Sequence, residues 1–204
     1  MRRAVLFLVA AAVLLLLFGK AAGSRSMQTS SAESEGTSAP YVVRKGRDSQ
    51  EAAALLAELA RRLRVVAGAD ESDERLIRLR QRWDGTLGET QPGDADIAYT
   101  SNKKSICICL RKPDGSLEGL SQLMFVLLHE AGHVVTPPPP GHSKAFWANF
   151  KYLLEIAAQA GVYEYMDTST ESLCGTRLGT SPLQCVIEGS CRSSLPTRAS
   201  PVPT

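Results

Sequence analysis

Residues 129–147, HEAGHVVTPPPPGHSKAFW, hold every histidine of the chain: His129, His133 and His142. The first five letters form an H-E-x-x-H motif. On a helix of 3.6 residues per turn, positions i and i+4 lie on one face about one turn apart, so His129 and His133 can reach a single ion. Zinc takes nitrogen ligands at roughly 2.0–2.1 Å, and a catalytic site keeps one position open for water beside three protein ligands. His129, His133 and His142 are the expected ligands of one Zn2+ ion. Glu130 projects beside the open position, is not needed as a ligand, and is the expected general base.

The flanking sequence gives the motif a physical setting. Leu123 to Leu128 is apolar on every side, which predicts a helix over residues 117–135 buried within the domain. A carboxylate there is costly to bury without a partner, and water at the metal provides one. Pro137 to Pro140 end the helix and impose an extended arm of about 3.1 Å per residue. Gly141 then permits a bend that brings His142 back, ahead of a second helix that Ser143 can cap. The competing reading leaves His142 as an exposed loop histidine. Phe146, Phe150, Leu153, Leu154 and Ala157 follow at core spacing, so Trp147 and the phenylalanines are read as packing under the metal helix.

Working outward, Ala52, Leu55, Leu56, Leu59, Leu63 and Val66 form one apolar helical stripe from Ser49, with Gly68 as its stop. Asp70 to Arg82 begins acidic and ends basic, which suits a helix dipole, although its length leaves a strand open. Residues 96–100 and 105–111 are rich in Ile, Tyr, Thr and Cys and flank Ser101-Asn102-Lys103-Lys104, which predicts a β-hairpin. Pro113 to Ser116 is a turn. The fold class expected from this order is α+β, a small domain with a hairpin or short sheet, a buried H-E-x-x-H helix and a helix packed on it.

These residues resemble a known group. Residues 129–147 are similar to the zinc-peptidase pattern of the WLM and SprT-like metallopeptidases, in which H-E-x-x-H is followed by a third His and then a Phe-Trp pair, here Phe146-Trp147. The upstream order, including RWDGTLGE at 82–89, is also similar, so the resemblance spans about residues 50–160. It implies a small α+β zincin fold with His129, His133 and His142 on zinc and Glu130 catalytic. The metzincin pattern fails, because Thr136 occupies its glycine position and Pro139 its third-histidine position. The resembled families are associated with proteolysis of proteins crosslinked to DNA, and here the sequence departs from them.

Nucleic acid is not an expected partner. The 23 basic and 21 acidic residues nearly cancel. The seven arginines from Arg61 to Arg82 interleave with Asp70, Glu71, Asp73 and Glu74, as on a solvated helical face. Met1-Arg2-Arg3 precedes an apolar run from Ala4 to Phe18, the pattern of a signal peptide or signal anchor over residues 1–23. Cleavage would give a secreted protein, and retention a single-pass membrane-anchored one with the membrane as partner. Either route excludes the cytosol. Residues 24–40, rich in Ser, Thr, Gly and Glu, read as a flexible linker, 41–188 as the folded domain, and 189–204 as a disordered tail.

An oxidising compartment permits disulfides. Cys107 and Cys109 read as small buried residues on one strand face, while one bridge is expected to tether the loop-rich region of Cys174, Cys185 and Cys191, with connectivity open. The function expected is hydrolysis of a peptide or protein substrate that pairs with the edge of the 96–111 hairpin. Lys144, Tyr163 and Tyr165 are oxyanion candidates by sequence proximity. The alternative is a membrane-tethered or secreted zinc-binding protein without activity, its site closed by Asp167, Glu171 or Cys174 as fourth ligand.

Overall fold

The computed structural model describes residues 26–34, 37–139 and 141–183. They form a mixed α+β architecture. In chain order the elements are β1 (Met27–Ser34), β2 (Thr37–Arg44), α1 (Ser49–Ala67), α2 (Glu74–Arg82), β3 (Leu87–Glu89), β4 (Ala98–Ser101), β5 (Ser105–Ile108), α3 (Leu120–Val135), α4 (Lys144–Gln159) and the small hairpin β6 (Ser172–Leu173) and β7 (Thr176–Arg177).

The main sheet has the order β1-β2-β3-β5-β4. Its outer pairs are antiparallel and its inner ones, β2 on β3 and β3 on β5, are parallel. Strand β4 is therefore an edge. The hairpin expected at 96–111 is present in shortened form, with Asn102 and Lys103 at positive φ in its turn. Its strands are four residues each, and one further bond in the same register, from Cys109 N to Ile97 O, follows them.

The stretch read as a flexible linker is different in the structure. Met27–Ser34 pairs along its length with Thr37–Arg44, in a register running from Met27 opposite Arg44 to Ser34 opposite Thr37. Strand pairing satisfies backbone groups and needs no apolar side chain from an edge strand, so a Ser/Thr-rich segment gives little hydrophobic signal for it. The expected leader, 1–23, and tail, 189–204, lie outside the described residues. Among those described, no helix is long and apolar enough to cross a membrane.

Helix α1 buries Ala52, Leu56, Leu59, Leu63 and Val66, and packs under β1 and β2 and against α3. Gly68 ends it, as its amide bonds Arg64 O. Residues 70–82 resolve into a loop and α2, with Asp73 as N-cap accepting from the amides of Arg75 and Leu76. Leu76 and Leu79 are its buried residues. Helix α3 is the centre of the molecule, with Leu123, Met124, Leu127 and Leu128 fully enclosed. Each such side chain contributes about 1.5–3 kcal/mol relative to exposure. It begins three residues later than the sequence suggests, because Leu117 bridges to Arg111 instead.

Candidate metal centre

Three side chains converge at the C-terminal half of α3. The ligating atoms of His129, His133 and His142 all lie within 4.8 Å of one another. His129 Nε2 and His142 Nε2 are 3.0 Å apart. Two nitrogens bound to one tetrahedral zinc stand about 3.3 Å apart, so this spacing fits a shared ion. The helix sets the first two histidines one turn apart. Gly141, at φ +105°, and Ser143, whose Oγ accepts from Phe146 N, return the third. The Pro138–Pro139 peptide within the arm is cis.

Aromatic packing fixes the rings. Phe146 stacks on His133 with centroids 4.3 Å apart, and Phe146 and Phe150 meet the His129 ring at 4.8 and 5.2 Å. Phe146 and Phe150 are buried and Trp147 is half-buried, in agreement with their reading as core. Gly132 makes the close approach possible, since a Cβ there would meet Phe146 Cε2 at 3.0 Å and Phe150 Cβ at 3.5 Å.

Electrostatics suit a cation. Burial, then repulsion from His133 and His142, holds the His129 imidazole down to about 3. Burial, His142 and Lys103 hold His133 down to about 4, and burial also lowers His142. Neutral imidazoles keep a lone pair free for a metal. The three-histidine set therefore passes the chemical test for a borderline-soft dication such as zinc.

Glu130 is buried, and burial pushes its carboxyl up to about 7, against the opposing hydrogen bond from Thr100. Thr100 Oγ1 donates to Glu130 Oε2 at 2.7 Å. Among the described residues Oε1 has no protein partner. The C-terminal carbonyls of α3 are held by cations, as the helix dipole favours: Arg82 Nη1 donates to Val134 O at 3.0 Å, and Lys103 Nζ to His133 O at 2.9 Å and to Thr136 O.

A cavity of about 570 Å³ opens over these groups. Edge strand β4 forms one side and α3 the floor, while Arg177 and Leu178 come from the β6–β7 hairpin. Neither Lys144, Tyr163 nor Tyr165 lines it; Tyr99, Thr100, Asn102, Lys103, Thr136 and Arg177 are among the polar side chains that do. Tyr163 is buried, and burial pushes its hydroxyl up to about 12. The suggested fourth ligands are also elsewhere. Cys174 is bonded to Cys109, Glu171 accepts from Gln122 Nε2 at 2.9 Å, and Asp167 holds Ser169.

The Cys109–Cys174 bridge corrects the reading of Cys109 as a buried free residue. Cys109 lies just beyond the end of β5, and Cys107, within the strand, is free. Thr100, Lys103 and Arg177 were not legible as site residues. The turn at 101–104 was the available signal for Lys103, and Arg177 had none.

No family model matches the chain, and no solved structure matches it. The chain is similar to an uncharacterised protein of Acanthamoeba polyphaga mimivirus, 31% identical over 94 residues, covering 44% of this chain and 47% of that protein. It is also similar to an uncharacterised protein of Invertebrate iridescent virus 6, 32% identical over 91 residues, covering 43% and 51%. The chain thus spans about half the length of these curated relatives.

Proposed function

We propose that this chain is a zincin-like zinc metallopeptidase that hydrolyses peptide bonds in an extended segment laid along β4. The observation that carries the reading is the convergence of His129, His133 and His142 beside a buried, singly anchored Glu130 at the floor of an open cavity. His129, His133 and His142 would hold one Zn2+ ion. Such an ion supplies Lewis-acid polarisation of a carbonyl and acidification of water.

The protein's own part follows from the geometry. Edge strand β4 offers unpaired backbone groups that align a substrate strand by β-augmentation. Thr100 fixes Oε2 of Glu130, leaving Oε1 to accept a proton from the attacking water and return it to the leaving amine. Lys103 and Arg82 hold the end of α3, which keeps His133 in register with Thr100. The apolar, aromatic backing of the histidines limits water around them.

Two further observations favour this over a non-catalytic zinc protein and over a cytosolic one. A structural zinc is normally closed by four protein ligands, and three converge here among the described residues. The Cys109–Cys174 bridge suits an oxidising compartment, to which an N-terminal signal peptide or anchor would deliver the chain. The deciding experiment is Glu130→Gln in the zinc-loaded chain: zinc retained with cleavage of a denatured protein substrate abolished supports the mechanism, and full cleavage contradicts it.

A further inference from the structure

The β6–β7 hairpin is short, yet it is held at three points. Leu173 is fully buried, Cys174 is bonded to Cys109, and the Cys174 amide donates to the buried Glu118 carboxylate at 2.6 Å. A two-residue hairpin has little stability of its own, so these anchors determine its place. That place is the end of the cavity nearest the start of α3, because Glu118 lies just before the helix and the Cys109 amide donates to Ile97 O beside β4.

At this end the cavity is apolar. Ile97 lies just before β4, Phe125 and Val126 lie one turn before His129, and Leu178 closes the far wall. Arg177 stands beside Leu178, exposed, its side chain without a hydrogen bond or ion pair to another described residue. The facing lip carries Asp96, also exposed, which disfavours a second anion on the strand side. An unpaired guanidinium beside an apolar pocket is a fork for a carboxylate.

We propose that the hairpin is the specificity wall of this site: the pocket takes an apolar side chain, and Arg177 selects peptides that carry a carboxylate beside it. The selection rests on the peptidase reading above, because it assumes a peptide in the cavity. The carboxylate comes from an acidic side chain or from a peptide C-terminus.

The test uses three fluorescent peptides identical except for Glu, Gln or Lys after a central Leu, plus the Gln peptide as amide and as free acid. Binding to the zinc-loaded Glu130→Gln chain is read by anisotropy, and cleavage by the wild-type chain is read in parallel. An exposed ion pair contributes up to about 1 kcal/mol, so the Glu peptide should bind about fivefold tighter than the Lys peptide. Adding Arg177→Glu should reverse that order without changing zinc content. A free acid favoured over its amide assigns the selection to a chain terminus, and a Glu preference with both blocked assigns it to a side chain. Equal binding of all peptides, or a preference that survives Arg177→Glu, overturns the proposal. Charge-selective binding without cleavage contradicts the peptidase reading alone, and cleavage without charge selection contradicts this one alone.

Discussion

Thr100 on the edge strand and Glu130 on the metal helix are joined side chain to side chain, Oγ1 to Oε2 at 2.7 Å. The bond ties the surface that would hold substrate to the group that would move its proton. It also leaves a single carboxylate oxygen for chemistry.

Thr100→Val keeps the shape and removes the donor. A hydrogen bond to a charged group is worth about 1.5–3 kcal/mol, so kcat should fall by about ten- to a hundredfold, with KM and zinc content unchanged. Thr100→Ser should restore most of the rate. Steady-state kinetics on both variants checks this, and an unaffected kcat in the valine variant contradicts the role given to Thr100.

Gly132→Ala tests the approach of α4 to α3. Alanine in a helix gains about 0.5–1 kcal/mol over glycine. Here its methyl would stand 3.0 Å from a ring carbon of the fully buried Phe146, and overpacking costs about 1–3 kcal/mol. The clash should prevail, lowering stability by about 1 kcal/mol in urea unfolding. Zinc affinity should fall with it, since Phe146 backs His133. A more stable variant would show that Phe146 yields freely.

Opening the Cys109–Cys174 bridge releases a constraint spanning 65 residues of sequence separation. The chain-entropy estimate for such a loop is about 4 kcal/mol, and measured values commonly fall below it. Cys174→Ser should lower the unfolding midpoint while leaving zinc stoichiometry intact, because neither cysteine belongs to the histidine cluster's donor set. Loss of zinc in a folded Cys174→Ser chain would place the bridge closer to the metal centre than this account allows.

Acid should weaken the fold through Glu58. Hydrogen bonds from Arg61, opposed by burial and aided by Arg62, hold its carboxyl down to about 2. A folded pKa below the unfolded one, roughly 4.3, gives stability that is full above the unfolded value and lost as pH falls toward the folded one. Arg62 also donates to Val162 O at 2.7 Å, tying α1 to the turn that follows α4. Glu58→Gln should therefore flatten the stability profile between about pH 5 and pH 2. Thermal melts across that range measure it, and an unchanged acid slope would remove Glu58 from the account.

Much of this architecture was legible from local pattern. The stripe from Ala52 to Val66, the apolar run before His129 and the Ser143 cap each express one element's chemistry in neighbouring residues. Strand β1 escaped because its ladder is backbone-made. The parallel pairing of β3 with β5 escaped because Leu87–Glu89 is three residues long and pairs across sequence with 106–108. In the site, the histidines and Glu130 lie close in sequence and so could be read together. Thr100 and Arg177 join the same cavity only through tertiary packing, which no periodicity encodes.

The central claim is one metal ion on three histidines. Zinc per chain, measured on the metal-stripped and reloaded full chain and on its His133→Ala and His142→Ala variants, tests it most directly. One zinc per wild-type chain, lost or markedly weakened in both folded variants, is the predicted result. A wild-type chain that takes up no zinc, or variants that hold it as tightly, would contradict the account.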